Sequence, residues 1–128
     1  MVNVRIHAEI MNQIEVFDIE KESVIKTVPS NPMIQAEAEN ILKHIHDIYK
    51  KINPIPKKGL MMKIPLKPMI HVKNQWMDSL VDEMIIFYPE DEEPYIMTYD
   101  DENHFFFFTI SNRKLANGFI INILSSSQ

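Results

Sequence analysis

The sequence predicts an α+β fold: a mainly antiparallel sheet with one long amphipathic helix packed on it and a C-terminal three-strand meander. Three features carry that expectation. Short runs of β-branched and aromatic residues, bounded by polar turns, recur along most of the 128 residues. One stretch, residues 34–52, repeats its apolar positions at helical spacing instead. Late in the chain, residues 84–88, 95–99 and 105–110 form three extended apolar runs separated by two acidic turns. With 45% hydrophobic residues and no cysteine, residues 1–128 are expected to form a single α+β domain around one core, without disulfide staples.

At the start, Val2, Val4, Ile6 and Ala8 alternate with Asn3, Arg5, His7 and Glu9, the period of a half-buried strand. Residues 14–19 and 24–28 are rich in β-branched side chains and joined by Glu20, Lys21, Glu22 and Ser23, which reads as a hairpin. Ser30 or Asn31 can then cap a helix whose first position is Pro32, where a missing N–H costs nothing. Its stripe is Ile34, Ala38, Ile41, Ile45, Ile48 and Ile52, widened by Leu42 and Tyr49 and stopped at Asn53 and Pro54. Glu37 and Glu39 near its start and Lys50 and Lys51 near its end suit the helix macrodipole.

Residues 55–59 read as a connector. Residues 60–66 alternate, but Pro65 and Pro68 cannot donate to a ladder and assign this strand to a sheet edge. In residues 69–81, Ile70 and Val72 look extended, whereas Trp76 with Leu80 and Met77 with Val81 match helical spacing behind an Asn74 cap. A strand followed by one or two helical turns is expected there. Residues 84–88 are apolar on both faces, as in an interior strand covered twice. Phe105, Phe106, Phe107 and Phe108 put two rings on each face, so one pair meets the helix and the other needs a second cover. The N-terminal hairpin, the Trp76 segment or a second copy could provide it. Asp100, Asp101, Glu102 and Asn103 have turn composition. Ser111 then caps a short helical turn over residues 112–117, Gly118 ends it in the left-handed region, and residues 119–124 form a last strand.

The charge is uneven. Residues 43–73 hold Lys43, Lys50, Lys51, Lys57, Lys58, Lys63, Lys67 and Lys73 against Asp47 alone, while residues 74–112 contain no Lys or Arg. Such runs are two solvated faces, or the poles of a dipolar molecule that presents one patch to a partner of opposite sign. The net charge of −5, and the acidic setting of the Phe run, argue against a nucleic-acid partner. Gly59 and Gly118 are the only glycines, which removes the phosphate-cradling loops of nucleotide-dependent enzymes, and no Gly-x-Ser-x-Gly elbow is present. No cofactor or metal is implied. His44 and His46 would diverge by ~200° on a helix, and the Asp100 turn lacks the ligand spacing of a calcium loop.

The expected function is therefore a non-catalytic protein-interaction or self-associating role, with a homodimer as its specific form. Phe105, Phe107, Tyr95 and Trp76 are the interaction residues, in a Met-rich setting suited to irregular interfaces. The alternative is a small-ligand site, or an acid/base or metal-dependent enzyme, built on His104, Asp100 and His71 with Tyr95 nearby. No window approaches the ~20 apolar residues that span a bilayer. The start lacks the basic-then-apolar layout of a secretory signal, so the default expectation is cytoplasmic. The soluble part of an exported or membrane-anchored protein is the alternative.

Overall fold

A computed structural model describes residues 12–50 and 55–126. Their elements are β1 (Gln13–Asp18), β2 (Ser23–Pro29), α1 (Pro32–Leu42), β3 (Ile45–Ile48), β4 (Gly59–Lys73), β5 (Asp78–Pro89), β6 (Tyr95–Tyr99), β7 (Phe105–Ile110) and α2 (Arg113–Leu124). All seven strands form one antiparallel sheet in the order β2-β1-β4-β5-β6-β7-β3. The fold is α+β with a mainly antiparallel sheet. The strand expected over Val2 to Ala8 lies outside the described residues.

Register explains why the core is where it is. Val16, Met62, Ile86, Ile96, Phe108 and Ile48 face one another across six strands, and the first five are completely buried. Side chains alternate along a strand, so this row fixes which face is the core. Both helices cover it. α1 contributes Ala38, Ile41 and Leu42, and α2 contributes Ala116, Phe119, Ile120 and Ile123. The Tyr88 hydroxyl on this face donates to the Ala116 carbonyl at 2.7 Å, and burial pushes its pKa upward. Lys26, beside Val16, donates to the Leu124 carbonyl at 2.9 Å and to that of Ser126, covering the orphan carbonyls at the end of α2.

Four local expectations are corrected. The helix stops at Leu42 instead of running to Ile52, although it starts as read, with the Asn31 side chain accepting from the Ile34 N–H at 2.9 Å. Ile45 and Ile48 have helical spacing from Ile41, but they are β-branched and pair with Ile110 and Phe108 along the edge of β7. The Ser111 N–H and hydroxyl both donate to the His44 carbonyl, at 2.8 and 3.1 Å, and hold the turn that breaks the helix. Strand pairing wins over a continuing stripe because it closes an otherwise bare edge.

The strand expected over residues 119–124 is part of α2, capped by Asn112 rather than Ser111. Gly118 sits inside that helix. Residues 74–77 form a hairpin tip instead of helical turns: the Asn74 side chain accepts from the Trp76 and Met77 N–H groups at 2.8 and 2.9 Å, and β5 begins at Asp78. Finally, β4 is interior over Leu60 to Lys63, between β1 and β5. Pro65 and Pro68 lie past its last pairing with β1, on the stretch whose second edge pairs with no described strand, which is where proline is tolerated.

Candidate functional site

The face of the sheet opposite the helices is apolar in two cross-strand rows. Phe17, Met61, Phe87 and Tyr95 form one; Ile85, Met97 and Phe107 form the other, which ends at the charged Lys63. Tyr95 is buried, stacked on Tyr49 at 3.9 Å and on Phe87 at 5.1 Å. Loss of hydration pushes its hydroxyl up to about 12, despite its side-chain contact with Tyr49, which opposes this. Phe107 is half-buried, 6.3 Å from Phe87. Phe105 is 64% exposed, with Tyr99 set edge-on at 5.8 Å. At the margin, Lys63 pairs with Glu83 at 3.5 Å, and Glu83 also accepts from the Tyr99 hydroxyl at 2.7 Å. Phe105, Phe107 and Tyr95 thus share one face. Trp76 does not join them; it packs on the helix side against Phe108 at 5.6 Å.

The polar candidates separate into two pairs. His71 Nε2 lies 2.5 Å from Asp78 Oδ1 across the β4–β5 hairpin, and this hydrogen bond lowers the Asp78 pKa. His104 Nδ1 lies 3.0 Å from Asp100 Oδ2 at the β6–β7 turn. No hydrogen bond or ion pair joins the two histidines' pairs among the described residues. Asp100, Glu102 and His104 bring their ligand atoms within 4.8 Å of one another. Both Asp100 oxygens are already committed, however. Oδ1 accepts from the N–H groups of Glu102 and His104 at 3.0 and 2.9 Å, and Oδ2 takes the imidazole. The cluster closes its own turn.

That turn makes a pH prediction. The hydrogen bond with Asp100 raises the His104 pKa above its ordinary 6.5, and the His104 backbone N–H leads the contacts that lower Asp100 below 3.8. The histidine's share of stability is therefore complete below its unfolded value and fades as pH rises through the raised folded value. The aspartate's share fades as pH falls through its lowered folded value. Both shares are complete between the unfolded values of the two groups, 3.8 and 6.5. An NMR titration should place the His104 midpoint above that of a random-coil histidine, and Asp100→Asn should move it down; equal midpoints would refute the pairing.

The acidic turn after β5 is pinned as well. Tyr49 donates to Glu92 at 2.8 Å, and Arg113 makes a two-pronged bond to Glu93 at 2.9 and 3.0 Å. Burial, then the Glu92 contact, raises the Tyr49 pKa.

A groove that no sequence motif announced lies on the helix side. It runs between α1 and residues 67–73 of β4, with a cavity volume of about 970 Å³. Pro32, Gln35, Ala36, Glu39 and Lys43, one side of α1, form one wall. Leu42, Ile45, Val72 and Trp76 supply apolar lining. Gln35 fastens the two walls: its amide nitrogen donates to the Pro65 carbonyl at 2.7 Å and its oxygen accepts from the Lys67 N–H at 2.9 Å. His71 lines this groove, while His104 and Asp100 do not. The sequence signals that bear on it are the two prolines that mark an open edge and the lysine-rich segment, of which Lys43, Lys67 and Lys73 line the groove. Comparison with protein-family models, with curated proteins and with solved structures finds no match to this chain.

Proposed function

We propose that the chain is a non-catalytic interaction domain that associates with a second copy of itself through the sheet face opposite its helices. The three-strand meander of β5, β6 and β7 provides most of that face. The observation that supports this reading is Phe105, 64% exposed at the end of a face whose neighbours Ile85, Met97 and Phe107 are only half-buried. Contiguous apolar surface of this kind is uncommon without a partner. Both described helices lie on the other side. A second copy suits the face because its marginal charges are already matched: Lys63 is paired with Glu83. Two copies related by a twofold axis can therefore meet without burying an unpaired like charge.

Sedimentation velocity at micromolar protein should show a dimer. Phe105→Asp, at an exposed position the core does not need, should weaken that association by at least about tenfold, as loss of an aromatic anchor does. A wild-type chain that sediments as a monomer throughout would defeat the proposal.

A further inference from the structure

We propose that the groove between α1 and β4 takes an extended acidic peptide, which adds as a strand along the open edge of residues 70–73. This goes beyond the self-association reading and stands on a different surface.

The edge comes first. β4 pairs with β1 only as far as Lys63, while its pairing with β5 continues through Ile70, His71, Val72 and Lys73. Beyond Lys63 one side of β4 therefore pairs with no described strand. Which groups point that way follows from the ladder. The Asn74 N–H donates to the Met77 carbonyl at 2.9 Å, which makes Asn74 and Met77 a hydrogen-bonded pair. Such pairs alternate in an antiparallel ladder, so Val72 and Ile70 bond to β5, while His71 and Lys73 turn their N–H and C=O groups away from it. No described residue meets those four groups. They form a template for one more strand.

Shape is the second point. The facing wall is a helix, and the gap is about 970 Å³, within the range of sites that enclose a ligand. The unpaired stretch of four residues spans ~13 Å. An extended segment laid there would place alternate side chains toward Leu42, Val72 and Trp76, and the others toward solvent.

Charge identifies the occupant. Lys67 and Lys73 stand on the strand wall and Lys43 on the helix wall, with Glu39 as the one carboxylate among the described residues that line the groove. Glu39 is itself engaged by Lys43 at 3.5 Å. A chain of net charge −5 thus concentrates surplus positive charge at this groove. A carboxylate-bearing segment is steered to it, and a basic one is repelled.

The test uses the full chain, at concentrations where it is monomeric, and a synthetic peptide alternating Glu and Val, with Gln/Val and Lys/Val counterparts. Amide NMR should show the Glu/Val peptide shifting the His71 and Lys73 N–H signals and quenching Trp76 fluorescence. Binding should weaken with added salt. Lys67→Glu with Lys73→Glu should reduce the affinity at least about tenfold; both side chains are exposed, and circular dichroism checks that the fold is kept. Three results would overturn the proposal. One is no shift at these amides with any peptide, which would leave the lysines and Pro68 as guards of a bare edge. Another is equal binding of all three peptides. The last is groove shifts that follow protein concentration without peptide, which would make a second copy the occupant.

Discussion

Phe108→Ala is expected to lower the unfolding free energy by about 3–5 kcal/mol, the usual cost of deleting a large buried ring. Phe108 is completely buried next to the end of the cross-strand row, opposite Ile96 on one side and Ile48 on the other. Its ring also meets Trp76 at 5.6 Å and lies parallel to Phe106 at 6.0 Å. Neighbours on two strands and the hairpin tip cannot all close inward, because each is fixed by its own ladder, so most of the void would persist. Against total stabilities of ~5–15 kcal/mol, that loss threatens the fold itself. The control is three residues away. Phe105→Ala should change stability by no more than about 0.5 kcal/mol, since that ring is mostly in water. Urea unfolding of the two variants separates them by midpoint at a shared slope. Equal midpoints would mean the four rings are not sorted by face as the register requires.

That sorting is the part of the fold the residues announce most clearly. The β-branched runs at β1 and β2, uniform greasiness in the middle of β5 and the acidic breaks around β6 all act within a few residues, so a local reading finds them. Asn31 is found for the same reason, because capping is a contact between residues three apart. Ile45 and Ile48 show where this fails. Their spacing continues the α1 stripe, and only β7, sixty or more residues on, decides that they pair rather than wind. The groove is harder still. Its walls come from residues in the thirties and the seventies, and neither segment carries a motif. Pro65 and Pro68 do mark an open edge, but only register shows that β4 is interior before them and exposed after them. His71 and His104 illustrate the converse: each has a carboxylate nearby, yet the partners are Asp78 and Asp100 on separate turns.

Gly59 and Gly118, the two glycines of the chain, should respond to alanine in opposite directions. At Gly59 the backbone has φ of 125°, a region side chains avoid, and an added Cβ would sit 2.3 Å from the Tyr88 carbonyl oxygen and 2.9 Å from Pro89 Cα. Both are backbone atoms, and Gly59 is held in register opposite Pro89 while its carbonyl accepts from the Ile19 N–H at 3.0 Å. Neither side can give way cheaply. Gly59→Ala should therefore cost at least ~2 kcal/mol, from backbone strain of ~1–3 kcal/mol with the clash in addition. Gly118 has helical backbone inside α2, and a Cβ there meets nothing within 4 Å. Alanine restricts the unfolded chain and suits the helix, so Gly118→Ala should stabilise by up to ~1 kcal/mol. A glycine at residue 118 has the look of a helix stop, whereas Ala116, Phe119, Ile120 and Ile123 have the spacing of one buried helical face. If residue 118 did end the helix in the left-handed region, alanine would destabilise there as well. Thermal unfolding of the two variants decides between a glycine that the close approach of two strands requires and one that the helix merely tolerates.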